Sequence, residues 1–307
     1  MDFLKLFDEW LMDDEQWDRK SHYASDATAC RRQLWWRWKN EPMSDPPTAG
    51  NYLKMKMGNT IENNLVQDSI EWMQEKGHIT RFNHGEKFSA KIDGCEFEMH
   101  LKLDFVIWPL EGEPVINEVK STFGRGITAI KNEGVPKEQH LVQCRFYLEH
   151  SPYDTVVIPY LGRDNGYRCQ FLLRLDDEGN MVCTATDREG EEYTTRVIRI
   201  DLESYYDKFR FIEAAVKADT IPDREYMVAI KNGEIKDSYQ HQNVKYKSDW
   251  QCNYCAFKSK CWADVVAEFT EGNNSEDFSI HKEVAEKKLA ERIQTRSRDV
   301  PDLEEEA

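Results

Sequence analysis

Basic charge is scarce in this chain. Across 307 residues, 41 Lys and Arg stand against 57 Asp and Glu, a formal net charge of −16. A balance of that sign excludes a protein that coats nucleic acid through its overall field, but not an enzyme with a locally basic groove. Long apolar runs are also absent: no stretch approaches the roughly 18 residues a membrane helix needs. The opening, MDFLKLFDEWLMDDEQW, lacks the basic flank and unbroken apolar core of a secretory signal. These absences predict a cytoplasmic protein with no membrane partner. No internal repeat is found. Core material, by contrast, is ample: 40% of residues are hydrophobic, with 9 Trp, 13 Tyr and 14 Phe, enough for one large domain or two modest ones.

Hydrophobic periodicity divides the chain. The first forty residues read as helical and end at EPMSDPPTAG, residues 41–50. Residues 51–77 read as one helix, with Leu53, Met57, Ile61 and Leu65 recurring every four residues and Gly77 as the stop. From Lys87 to Thr122 the period drops to two, with Phe97, Met99, Leu101, Leu103, Phe105 and Ile107 alternating as in a one-sided strand, and VINEVKST follows the PLEGEP turn as a second strand. Residues 137–150 return to helix. TVVIPYL, CQFLLRL and TTRVIRI read as strands, and LESYYDKFRFIEAAVKA as a helix ending before Pro222. The order predicts a mixed α/β core with added ends. The expected segments are 1–50 (helical), 51–220 (core), 221–265 (cysteine-bearing) and 266–307 (a charged tail). Within that tail HKEVAEKKLAERIQ reads as helical and DVPDLEEE as a solvated, mobile end.

In a reducing compartment clustered thiols point to metal before disulfide. Cys252, Cys255 and Cys261 fall within ten residues, in QCNYCAFKSKC, with no histidine among them. Three thiols are one short of a tetrahedral zinc site or an iron–sulfur cluster. Cys95, Cys144, Cys169 and Cys183 read as small buried side chains.

Oxygen ligands gather in the middle of the chain. Residues two apart on a strand share a face, so Glu118 and Lys120 of INEVK project together while Val119 enters the core. Asp104 lies on the neighbouring strand. Two carboxylates suit a hard cation such as Mg²⁺ or Mn²⁺, and a lysine beside them can hold and polarise an attacking water. Alone, Asp with Glu-x-Lys is equally the pattern of a surface ion pair worth under ~1 kcal/mol. Glu62 lies in the preceding helix, four residues after Gly58, whose bare backbone permits close approach. Gln143 and Tyr147 share a helix face downstream.

In that order, Gly58-x-x-x-Glu62, Asp104, Glu118-x-Lys120 and Gln143-x-x-x-Tyr147 resemble the RecB-type branch of PD-(D/E)xK nucleases over roughly residues 21–262. The resemblance implies a restriction-endonuclease-like α/β fold, a mixed central sheet flanked by helices. It implies Glu62, Asp104 and Glu118 as metal ligands, with the Val119 carbonyl as a further one. Lys120 would position the nucleophilic water, and Gln143 and Tyr147 would support the lysine and the DNA backbone. Many members carry His where this chain has Glu62. One branch, including CRISPR-associated exonucleases and the nuclease domains of AddB helicase subunits, holds a 4Fe–4S cluster on one upstream cysteine and a C-x2-C-x5-C group. Here those would be Cys30 with Cys252, Cys255 and Cys261, a clasp joining the two ends. The expectation is a Mg²⁺- or Mn²⁺-dependent exonuclease in a bacterial or virus-infected cell, acting on single strands or duplex ends. A helicase or recombination partner and an oligomer are compatible with it. Its rivals are a non-catalytic DNA- or helicase-binding adaptor and a DNA-trimming subunit of a CRISPR adaptation complex.

Around Cys30, CRRQLWWRWK interleaves basic and aromatic residues. Cys30, Leu34 and Trp38 read as the inward face, leaving Arg32, Trp36 and Lys39 as a candidate strip for stacking bases and contacting phosphates.

Overall fold

The computed structural model describes residues 3–13, 21–186, 191–231, 234–241 and 244–271. The expectations for HKEVAEKKLAERIQ and DVPDLEEE lie outside the described residues. Two compact units are formed, residues 1–41 with 47–223, and residues 42–46 with 224–307.

The first unit opens with α1 (Phe3–Met12), β1 (His22–Tyr23) and α2 (Arg31–Trp38). A long helical segment follows as α3 (Ala49–Thr60), a π-helical turn at Ile61–Val66, and α4 (Gln67–Glu75). Gly77 stops it as expected, at φ +71°, and the His78 amide reaches back to the Met73 carbonyl at 2.8 Å, a left-handed cap. Six strands come next: β2 (Ile79–His84), β3 (Lys87–Ala90), β4 (Met99–Lys102), β5 (Phe105–Pro109), β6 (Val115–Asn117) and β7 (Lys120–Thr122). Helices α5 (Gly124–Glu133) and α6 (Glu138–His150) precede β8 (Thr155–Gly162), β9 (Arg168–Leu175), β10 (Met181–Thr186), β11 (Glu192–Ile198) and α7 (Leu202–Lys217).

The central sheet runs β11-β10-β9-β8-β6-β5-β2, with β7 also on β8. Strands β6 and β7 lie parallel to β8 and the remaining pairs are antiparallel. The expected mixed sheet flanked by helices is therefore present. A parallel pair needs a long crossover, supplied here by α5 and α6, which pack on β8 and β9. Helix α6 buries Leu141, Val142, Cys144, Phe146, Tyr147 and Leu148, and a helix apolar on so many sides belongs inside.

The 97–107 run is not one strand. Its alternation is real, but β4 pairs with β1 and β3 in a separate three-stranded sheet, and β5 joins the central sheet. The register Lys87↔Lys102 continues into His84↔Phe105, so β2–β3 and β4–β5 form one hairpin that turns a corner. At the corner the Leu103 amide donates to the Glu86 carbonyl and the Gly85 amide to the Asp104 carbonyl. Gly85 sits at φ +70°, where glycine alone is unstrained.

The second unit comprises two hairpins, β12 (Ala229–Lys231) with β13 (Glu234–Lys236) and β14 (Ser238–His241) with β15 (Val244–Lys247), then α8 (Trp250–Asn253) and α9 (Lys258–Glu271). Asp45 ties the 42–46 segment to α9, its carboxylate accepting from the Ser259 amide at 2.7 Å and hydroxyl at 2.6 Å.

Candidate active site

Register brings the first two carboxylates together. Phe105 lies opposite Asn117 in the β5–β6 pair, so one step further Asp104 faces Glu118. The backbone ladder between these strands ends there: the Val119 amide donates to Asp104 Oδ2 at 2.8 Å, and the Glu118 amide to the Val157 carbonyl of β8 at 2.9 Å. Val119 itself packs with Ile70, Ile79 and Phe105, as its alternation predicts.

Glu118 is 1% exposed. Its Oε1 accepts from Lys120 Nζ at 2.5 Å and from Gln143 Nε2 at 2.8 Å. Its Oε2 is buried with no partner. An unpaired oxygen on a buried carboxylate is costly, because the lost hydration is not replaced. Asp104 is pushed well above the usual carboxylate range, by burial first and then by the negative charge of Glu118, with Lys120 opposing and Glu62 adding to the rise. Lys120 is held above its ordinary value: burial works against its charge, but Glu118 and Asp104 outweigh it. One lysine thus faces two acids, of which Glu118 is buried.

Glu62 comes from the π-helical turn. Such turns widen a helix by one residue and recur at functional sites; a period-based reading of the sequence does not resolve them. With Val119, Lys120, Lys54, Lys56 and Arg163, Glu62 lines a cavity of about 560 Å³. Among the described residues Glu62, Asp104 and Glu118 are not a set whose ligand atoms all lie within 4.8 Å of one another. The cleft carries four cations in a chain of net charge −16. Arg163 was not legible in the sequence. Its guanidinium donates to Ser121 Oγ and the Ser121 carbonyl at 3.1 Å each and to the Lys54 carbonyl at 2.7 Å, pinning α3 to β7.

A second cavity of about 760 Å³ shares Lys56 and Arg163 with the first. Its walls include Trp10, Leu53, Met57, Leu65 and Tyr167, with Arg168 beside them. The four-residue stripe of the long helix therefore faces this groove, and Leu53, Met57 and Leu65 remain exposed.

Two readings need correction, those of Tyr147 with Gln143 and of the α2 strip. Tyr147 is buried, and its hydroxyl accepts from Gln143 Nε2 at 2.5 Å and donates to the Lys102 carbonyl at 2.8 Å. It braces the Glu118–Gln143 arrangement, and Gln143 grips the carboxylate, not the lysine. A Cβ on Gly58 would meet Ser121 Oγ at 3.6 Å and Arg163 Nη2 at 3.7 Å, ordinary contacts, so the protein chain itself does not require glycine there. The strip on α2 is also different: Trp36 is 3% exposed, Arg32 Nε donates to the Pro222 carbonyl at 2.7 Å, and Lys39 pairs with Asp219 at 2.7 Å. Leu34, Trp35 and Trp38 are buried as well, so α2 has no aromatic face left to stack on a base.

The cysteines divide between the units. Cys30 is the N-cap residue of α2. In the second unit the Phe257 amide donates to Cys255 Sγ at 3.5 Å, and Arg224 donates twice to the Cys261 carbonyl, at 2.9 and 2.7 Å. Cys144, Cys169 and Cys183 are buried as expected, whereas Cys95 is only half-buried.

No family model matches the chain, and no curated protein matches it. Among solved structures, it is similar to SSO0001, with 12% identity and a TM-score of 0.44 over 84% of this chain and 93% of that one. An alkaline exonuclease (LHK-Exo) from Laribacter hongkongensis aligns with 12% identity and a TM-score of 0.34, over 70% and 93%. The same exonuclease in complex with dAMP gives 13% and 0.33, over 69% and 93%. At these scores the likenesses decide nothing about function.

Proposed function

We propose that the protein is a Mg²⁺- or Mn²⁺-dependent deoxyribonuclease of the RecB-type PD-(D/E)xK kind, acting as an exonuclease. The observation that carries this reading is the Glu118 carboxylate, gripped at Oε1 by Lys120 and Gln143 while its buried Oε2 is bare and Asp104 stands opposite. Asp104 and Glu118, with Glu62 and the Val119 carbonyl as further oxygen donors, fit a hard divalent cation. Such an ion would neutralise the acids and stabilise charge on a phosphate during hydrolysis.

The chain's own residues supply the rest. Lys120 stays protonated under the influence of both acids, so it acts as a hydrogen-bond donor that orients water and is not a general base. Gln143 fixes the rotamer of Glu118, and Tyr147 fixes Gln143. Lys54, Lys56 and Arg163 give the cleft the sign that a phosphodiester backbone needs. The adjoining apolar groove suits unstacked bases of a single strand or a frayed duplex end.

Cys30, Cys252, Cys255 and Cys261 are proposed to hold a 4Fe–4S cluster. The all-thiolate donor set and the amide hydrogen bond to Cys255 suit such a group; its role would be structural. Two experiments test these readings. Digestion of 5′- and 3′-labelled DNA with Mg²⁺ or Mn²⁺ is expected to give stepwise shortening from an end, and a blank result with measurable binding would favour the adaptor. Anaerobic purification should yield brown protein with about four irons per chain, and zinc in their place would overturn the cluster.

A further inference from the structure

A second donor cluster lies outside the carboxylate cleft. His22 on β1, Cys95 in the β3–β4 connection and Glu213 on α7 present ligand atoms that all fall within 4.8 Å of one another. From these we infer a transition-metal site, taking Zn²⁺ in preference to Mg²⁺.

Donor chemistry selects the ion. Imidazole, thiolate and carboxylate together suit zinc, whereas Mg²⁺ demands oxygen. The spacing is nearly right. Three points no more than 4.8 Å apart have a centre within about 2.8 Å of each, against ~2.0–2.3 Å for bonds from zinc to nitrogen, oxygen or sulfur. A movement of roughly half an ångström per ligand closes the site.

The surroundings hold these donors in place. Glu213 accepts from the Glu96 amide at 2.6 Å and the Phe97 amide at 3.1 Å, and from His22 Nε2 at 2.7 Å. The His22 ring stacks on Phe209 with centroids 4.5 Å apart and tilts against Trp38 at 4.9 Å. Arg210, one turn before Glu213, donates to the Asp93 carbonyl at 2.7 Å, fastening the Cys95 connection to α7. Oriented outer contacts of this kind are what metal ligands require. Burial keeps His22 toward its neutral form; ligation through Nε2 would move the ring proton to Nδ1 and replace the hydrogen bond to Glu213 by bonds to the metal. The Cys95 thiol, pushed up to about 11 by burial and by Glu213, would surrender its proton on binding the ion. Three protein ligands leave a fourth position for water. The metal would tie together segments 191 positions apart in sequence.

The test uses the full-length protein and follows alkylation of Cys95 by mass spectrometry of its peptide. Micromolar Zn²⁺ is expected to slow modification of Cys95 at least tenfold in the wild type, and millimolar Mg²⁺ to leave the rate unchanged. In Glu213→Gln and His22→Gln, checked for folding by circular dichroism, protection should fall below twofold. An unchanged Cys95 rate in folded wild type with Zn²⁺ would overturn the site, and that readout needs no variant. Protection as strong in the two variants as in the wild type would overturn it too.

Discussion

Lys120 Nζ donates to Glu118 Oε1 at 2.5 Å, on a carboxylate that is 1% exposed and whose other oxygen has no partner. The pair is lopsided: a cation and an amide converge on one oxygen while Asp104 adds a second acid nearby. A purely structural ion pair would satisfy both oxygens, because breaking even would otherwise be difficult once hydration is lost.

Removing the lysine exposes that imbalance. Lys120→Ala should destabilise the metal-free protein by about 3 kcal/mol at neutral pH in urea unfolding, and abolish cleavage. Mn²⁺, by neutralising the acids, should recover part of the loss. Unchanged stability would contradict the pairing of Lys120 with Glu118 as a buried contact.

Tyr147→Phe separates bracing from substrate contact. Loss of the hydroxyl strands the Lys102 carbonyl and one bond of Gln143, at a cost of about 1–2 kcal/mol. Because that hydroxyl is turned inward, KM for DNA should hold steady while kcat falls modestly. A large rise in KM would place the hydroxyl on the substrate.

Gly58→Ala should stabilise the protein by about 0.5–1 kcal/mol, since alanine favours the helix interior and its methyl meets only ordinary contacts. Thermal melts check this directly. A lower melting temperature would show that the space is not there.

His140 gives a pH signature. Its Nδ1 lies 2.5 Å from the Tyr160 hydroxyl. Burial, then the charges of Lys120 and Lys137, lower its pKa to about 2 from 6.5. The folded value lies below the unfolded one, so the stability it contributes is full above pH 6.5. That stability is lost as pH falls, by about 1.4 kcal/mol per unit. Asp104, raised by burial and Glu118, acts with opposite sign. The comparison of wild type with His140→Gln between pH 6.5 and 4.5 isolates the histidine: the variant's stability should fall less steeply. Parallel curves would contradict the assignment.

Periodicity made much of the fold legible. Helix α6, strands β8 and β9 and helix α7 stand where their patterns place them, because each is long and its period unambiguous. Alternation across 97–107 does not tell which sheet a residue joins, so the corner at Asp104 was hidden. The inner site was readable for a local reason: Glu118 and Lys120 are two apart where β6 passes into β7, and Gln143 and Tyr147 four apart on one helix. Arg163 and the π-helical turn carry no such local signal. Trp36 misled because a helix buried on several sides looks amphipathic in sequence when arginines interrupt its tryptophans. His22, Cys95 and Glu213 meet only through tertiary packing.

The most direct measurement is single-turnover cleavage of end-labelled single-stranded DNA in Mn²⁺ by wild type and Glu118→Gln. This substitution keeps the size of the side chain but removes its charge. The wild type should shorten the strand from one end, and Glu118→Gln should lose at least a hundredfold in rate while retaining its fold. Equal rates for the two proteins would contradict the assignment of the Asp104–Glu118–Lys120 centre.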